Sequence, residues 1–357
     1  MNSKQRSLAA IRGEPVDRVP VFPLLMAFAA DRAGLSYREF ATNGAALAEA
    51  QLSIYDRFHP DALTVASDTA RLPADFGGQI TYPEDQPPFL QTPLLRSVAD
   101  LRYLKRPDPA RKGSRIADRL RALEILVKAV GKECLVLGWL NMPFAEACLA
   151  CGLENFLVLI HDDPGLAHQI IDFMKECVVD YALAQVETGA EMLGLGDSAA
   201  SLLSPASYRE FALPYEREVC QALHEAGAMV KLHICGDTSR LLKDMTTCGA
   251  DLFNVDHLVD FDLACRTYSQ SGICFKGNLN PVTDFSEVSP ERCRTRCWDL
   301  LERTKGHRYM LSAGCEIPAC ASDEVFEAFC GASRGFVSNV CEKTLSQAHF
   351  SLPISND

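Results

Sequence analysis

Apolar residues in this chain gather in short runs separated by longer stretches with helical spacing. Eight such runs stand out: Val19–Pro23, Ala62–Ser67, Leu135–Leu140, Met192–Leu195, Met229–Ile234, Leu252–Val255, Ile273–Phe275 and Tyr309–Ser312. They lead into Gly, Asp, Asn, Cys or Pro. Continuous apolar runs of this length fit strands buried on both faces, as in a parallel sheet covered by helices.

Helix signals fill the gaps. Ser204-Pro205 sets a cap before a proline at the first helical position, and apolar spacing runs on to Ala226. Asp163-Pro164 opens a helix reaching about Thr188, and Ser289-Pro290 one reaching about Thr304. Ser322-Asp323-Glu324 puts a cap and two acids where the helix dipole favours them. Ser36 with Glu39 spells a capping box. Strand and helix alternating through eight units predict an α/β fold, a TIM (β/α)8 barrel. The proline-rich stretch from Arg71 to about Arg115 predicts an insertion after the second strand, and the residues before Val19 an N-terminal extension. Residues 1–357 are expected to form a single barrel domain.

Composition narrows the class. Of 357 residues, 48% are hydrophobic and 23% charged, an ordinary globular balance. A net charge of −12 without a Lys/Arg cluster argues against a nucleic-acid surface. Nothing approaches eighteen apolar residues in a row, so no membrane span is expected. Met1 to Arg12 is polar and basic without an apolar core, unlike a signal peptide. The fifteen cysteines then read as reduced thiols in a cytoplasmic protein.

A barrel would bring Asp68, Asn141, Asp197, His233, Cys235, Asp256, Asn278 and Cys315 to its C-terminal mouth, where barrel enzymes place their chemistry. His233 and Cys235 are two apart on a strand and so share a face. Cys315, in a Gly-Cys-Glu-Ile-Pro turn, follows the eighth run and lies only the width of the mouth away. One imidazole and two thiolates make a zinc site with one open position, the mark of a catalytic ion. Such a site is suited to binding and ionising a thiol, which points to thiol alkylation and to methyl transfer.

Other residues carry two readings each. Asp256 offers an oxygen ligand, or a helix cap, or a partner for the His233 ring; His257 beside it is an alternative ligand. Glu316 is an acid/base candidate or a surface carboxylate. Asp197 is a reactive contact or a cap. Asn278 and Asn280 suit a neutral polar ligand, or a turn before Pro281. Asp68 and Asn141 are further candidates for substrate binding. Gly194-Leu195-Gly196 lacks the third glycine of a dinucleotide fingerprint. Cys148-x-x-Cys151 lies in an apolar helix with no second pair, and Cys293 and Cys297 are one helical turn apart; both pairs read as packing, and Cys320 as a bystander. Arg18, Arg71 and Lys276 are candidate anion contacts, but they do not make a convincing sulfonate clamp.

At these residues the chain resembles a known superfamily. Glu14-Pro15-Val16-Asp17-Arg18-Val19-Pro20-Val21 resembles the opening of uroporphyrinogen decarboxylase-like proteins. His233-Ile234-Cys235-Gly236, Gly277-Asn278-Leu279-Asn280-Pro281 and Gly314-Cys315-Glu316-Ile317-Pro318 are similar to the zinc-dependent methylcobamide:coenzyme M methyltransferase branch. The resemblance covers nearly the whole chain. It implies Zn2+ on His233, Cys235 and Cys315. It also implies methyl exchange between a corrinoid (methylcobalamin) carried by a partner protein docked at the barrel mouth and a thiol such as coenzyme M. Transfer in the reverse direction, from a methyl donor to the corrinoid protein, stays open, as do porphyrinogen decarboxylation and corrinoid-protein binding without turnover. A homodimer is compatible with all of these. The true decarboxylases carry a Met-Arg-Gln-Ala-Gly-Arg-type segment after the first strand. Here the matching stretch is Leu25-Met26-Ala27-Phe28-Ala29-Ala30, so the carboxylate-clamping arginine becomes Ala27, not a conservative exchange.

Overall fold

The computed structural model describes residues 1–95 and 98–349, without the side chains of 98–99 and 337–349. Seven parallel strands curl around one axis: β1 (Ala62–Thr64), β4 (Leu135–Asn141), β5 (Met192–Gly196), β6 (Met229–His233), β7 (Leu252–Asn254), β8 (Cys274–Leu279) and β9 (Tyr309–Ala313). The numbers β2 (Ile80–Thr81) and β3 (Phe89–Leu90) belong to an antiparallel hairpin in the insertion.

The first apolar run closes the barrel without forming a regular strand. The Phe22 N–H donates to the Leu311 carbonyl at 2.9 Å, and on the other side the Asp61 N–H donates to the Val21 carbonyl at 2.8 Å. Parallel bridges join Val21 to Leu311 and Leu24 to Glu316. Pro20 and Pro23 have no N–H to give, so the ladder here is broken into single bridges. The eightfold (β/α) architecture expected from the sequence is therefore present, with its first strand reduced to an extended segment.

Alternation along the strands sets the interior in layers. Inward positions on β6 are Met229, Lys231 and His233; on β8, Cys274, Lys276 and Asn278; on β9, Met310 and Ser312. The lowest layer is apolar, and Ala10 and Ile11 of the N-terminal helix Ser3–Arg12 close it from below. The middle layer holds two buried lysines. Lys276 donates to the Phe22 carbonyl and to Ser312 Oγ, at 3.0 and 2.9 Å. Lys231 Nζ lies 4.4 Å from the centre of the Trp139 ring, within cation–π range. A side chain at Gly194 would overlap that ring, so the glycine makes room for it. The top layer opens at the mouth.

Capping side chains start the outer helices where the sequence suggests. Asp163, Ser204, Ser289 and Ser36 accept from the N–H groups of Leu166, Ser207, Arg292 and Glu39. The continuous helix expected from Ser204 to Ala226 is instead two, Pro205–Phe211 and Leu213–Glu225, because Pro214 cannot donate to the preceding turn. Among the described residues no single helix is long and apolar enough to cross a membrane.

Candidate metal centre

His233 ends β6, Cys235 follows it, and Cys315 follows β9. Their ligand atoms lie within 4.8 Å of one another. Cys235 Sγ is 3.0 Å from His233 Nε2 and 3.9 Å from Cys315 Sγ. The other ring nitrogen, His233 Nδ1, is 3.1 Å from the Asn254 carbonyl oxygen. A carbonyl can only accept, so Nδ1 carries the proton and Nε2 presents its lone pair to the thiols. Hydrogen bonding from Cys235 holds the Cys315 thiol down to about 3, while bonding to Cys315 and burial push Cys235 up. Two soft sulfurs and an oriented imidazole nitrogen, all half-buried or buried, form the donor set of a zinc site. The residues present fit that ion.

The surrounding groups fix the three donors in place. Asp256 Oδ2 accepts the Gly236 N–H at 2.9 Å and Oδ1 accepts the Leu258 N–H at 3.0 Å, so its carboxylate pins the backbone just after Cys235. His257 Nδ1 stands 3.0 Å from the same carboxylate. Asn254, which the sequence reading passed over, donates through Nδ2 to the Gly314 carbonyl at 3.1 Å and so ties β7 to the Cys315 turn. Its place at a strand end beside the predicted ligand strand is the signal that could have found it. Lys231 was also missed, although it is two residues before His233 and so on the same inward face; burial brings its pKa down to about 7. Glu316 accepts the Ala27 N–H at 2.5 Å, and burial pushes its carboxyl up to about 7.

Most of the remaining candidates bond to other groups of the protein. Asp197 is fully buried, its carboxyl beside Glu216, which in turn accepts from the Tyr208 hydroxyl at 2.5 Å. Burial together with the Glu216 charge raises Asp197 far above the usual carboxylate range. Asp68 is also buried. It bonds Arg115 at 2.7 Å and lies 3.7 and 3.9 Å from Arg71 and Arg119, and its charge is spent on these three guanidiniums. Asn278 donates to the Asp256 and Val259 carbonyls, and Asn280 Oδ1 accepts from the Val282 and Thr283 N–H groups. Asn278 therefore ties β8 to the loop after β7, and Asn280 holds the loop after β8.

Asn141 is placed differently. Its Nδ2 donates to Glu146 Oε1 at 2.8 Å, and it lines a cavity of about 460 Å³ between the insertion and the loops after β4 and β5. Asn141, Gly196 and His233 are register partners across β4, β5 and β6, so they stand at one level of the barrel. Ser201 on the cavity wall abuts Gly236, where a Cβ would lie 3.3 Å from its Oγ. The cavity therefore borders the loop that carries Cys235.

Comparison with known proteins bears on this arrangement. A barrel of this topology with chemistry at its C-terminal mouth is an enzyme scaffold. The chain belongs to the uroporphyrinogen decarboxylase family, whose model, Uroporphyrinogen decarboxylase (URO-D), matches residues 2–336. It is 27% identical over 323 residues to the uroporphyrinogen decarboxylase of Prochlorococcus marinus (strain MIT 9211), covering 86% of this chain and 90% of that one. The decarboxylase of Chloroflexus aurantiacus (strain ATCC 29366 / DSM 635 / J-10-fl) is 29% identical over 329 residues, covering 87% and 90%. Among solved structures, a methyltransferase from Methanosarcina mazei superposes with a TM-score of 0.84 at 24% identity, over 94% of this chain and 99% of that one.

Proposed function

We propose that this protein moves a methyl group between a corrinoid carried by a separate protein and a small thiol, at a zinc held by His233, Cys235 and Cys315. The observation that carries the reading is the convergence of three soft donors within 4.8 Å at the barrel mouth, with His233 oriented by Asn254. Bound zinc would supply the positive charge that deprotonates a coordinated thiol while leaving its sulfur nucleophilic.

This chain's own residues do the rest. Asp256 and Asn254 keep the Cys235 and Cys315 turns in register. The reaction is balanced without an external oxidant or reductant. The thiol proton goes to solvent, the new sulfur–carbon bond forms as the carbon–cobalt bond breaks, and cobalt keeps the electron pair. The reverse reaction uses the same groups, with a thioether as donor. Exposed apolar side chains on the mouth loops (Phe89, Leu202, Leu258 and Val282) support docking of a corrinoid protein there. Free buried cysteines throughout the fold suit a reducing, cytoplasmic setting.

The names of the curated relatives favour a second reading, porphyrinogen decarboxylation. Against it, position 27 is an alanine whose N–H is taken by Glu316, so no arginine clamps a substrate carboxylate there. The test is demethylation of methylcobalamin by added thiols with zinc-loaded protein. The proposal expects turnover that disappears on chelation and in Cys315→Ala. Full activity in that variant, or decarboxylation that survives zinc removal, would overturn it.

A further inference from the structure

We infer that the methyl-accepting thiol, or the thioether in reverse, is an uncharged molecule with an apolar body and one hydrogen-bond donor, seated in the cavity beside the metal centre. This rests on the methyl-transfer reading for the identity of the reacting sulfur. It rests on the cavity alone for the chemistry of the rest of the molecule.

The cavity wall is made of Phe89 and Leu90 from the insertion hairpin, Ala145, Cys148 and Leu149 from the helix Pro143–Cys151, and Leu202 from the turn after β5. At about 460 Å³ it is within the range of small-ligand sites. Among the described residues no Lys, Arg or His lines it. Its polar groups are the amide of Asn141 and the hydroxyls of Thr69, Ser198 and Ser201. Asn141 Nδ2 is spent on Glu146 and on the Thr69 carbonyl, which leaves its Oδ1 as an acceptor toward the cavity.

Among the described residues, the cations singled out for an anionic substrate are committed elsewhere. Arg18 forms a bidentate pair with Asp61, at 2.7 and 3.0 Å. Arg71 donates to the Arg115 and Ala41 carbonyls and to Asp118. Lys276 is fully buried in the middle layer, and Lys231 lies under the Trp139 ring. Arg240 is exposed and holds the Ser201 carbonyl at 3.0 Å, outside the cavity lining. A sulfonate or carboxylate entering the cavity would lose hydration with no counter-charge among the described lining residues to replace it, which favours an uncharged ligand. The inward rim carries the opposite preference. Phe89, Leu153 and Leu202 are 48%, 43% and 55% exposed, and all three line the opening.

The experiment compares 2-mercaptoethanesulfonate with the uncharged 4-(2-mercaptoethyl)phenol, whose hydroxyl is the one donor, in zinc-loaded protein supplied with methylcobalamin. Alongside it, the two S-methyl thioethers are titrated for binding by thermal shift and calorimetry, which needs no turnover. The uncharged thiol is expected to exceed the sulfonate at least tenfold in kcat/KM. Its thioether alone should bind. Leu149→Arg, or Leu202→Arg if the first does not fold, should lower that preference at least tenfold by placing a cation at the wall. Equal or better turnover with the sulfonate overturns the inference and leaves the methyl-transfer reading intact. Binding of the apolar thioether with no turnover of any thiol supports the cavity's chemistry and sinks the methyl-transfer reading. Absence of apolar binding, or binding unchanged in both arginine variants, overturns the inference directly.

Discussion

Cys235 and Cys315 are 80 residues apart in the chain, yet their sulfurs lie 3.9 Å from one another. The contact spans the mouth from the end of β6 to the turn after β9, so it depends on barrel closure and not on any local motif. Two thiolates at that distance repel unless a cation lies between them, and His233 Nε2 supplies the third donor at 3.0 Å from Cys235.

The turn that delivers Cys315 has no spare room. A Cβ on Gly314 would overlap the backbone of His257, because the two loops pass in contact. Gly314→Ala should cost about 1–3 kcal/mol, the usual penalty of overpacking. It should also weaken zinc binding at least tenfold while Cys315 remains. Competitive chelator titration and thermal melts measure the two effects. Wild-type affinity in a folded variant would show that the close approach does not position the ligand.

Asp68 is the only carboxylate placed among Arg71, Arg115 and Arg119 within salt-bridge distance of all three, as far as the described residues go. Burial pushes its carboxyl up, but attraction to the three guanidiniums outweighs this and holds it below the ordinary value. A depressed carboxylate stabilises the fold above the unfolded pKa and loses that contribution as pH falls. Asp68→Asn should therefore cost about 3–5 kcal/mol at neutral pH, the range for breaking a buried ion pair, and the loss should shrink toward pH 3. Denaturant titrations across pH check both; a loss under 1 kcal/mol at pH 7 (roughly the value of an exposed pair) would contradict it.

Glu146 and Glu216 behave in the opposite sense. Burial pushes their carboxyls up to about 8 and about 7. Between the ordinary carboxylate pKa near 4.3 and those values the native state holds protons that the unfolded chain has lost. Stability should thus fall as pH rises from about 4.3 and level off above about 8, by an amount on the order of a few kcal/mol. Glu146→Gln and Glu216→Gln should flatten that decline. An unchanged slope in the double variant would place the titrating groups elsewhere.

Much of this site is readable in the chain because barrel chemistry sits at strand ends. Position 233 lies at the end of an apolar run and positions 235 and 315 follow one, and period-two alternation puts the first two on one face. Side-chain direction beyond the strand end is less legible. Asp197 ends its strand as expected, but Glu216 and Tyr208, on helices that fold over it, decide where its carboxyl lies. Asn278 and Asn280 were equally compatible with turn formation; the loop after β8 takes Asn280, while Asn278 stays on β8 and bonds the loop after β7. The cavity is built from an insertion hairpin and a helix far apart in the chain. Cys148 belongs to it while also packing, a double role that helical spacing alone does not reveal.

The most direct test is X-ray absorption at the zinc edge on protein loaded with one equivalent of zinc, before and after adding a thiol. The account predicts two sulfurs at about 2.3 Å and nitrogen at about 2.0 Å with a light atom completing the shell, and a third sulfur once the thiol is present. A shell without protein sulfur, or one already complete and unchanged by thiol, would contradict it.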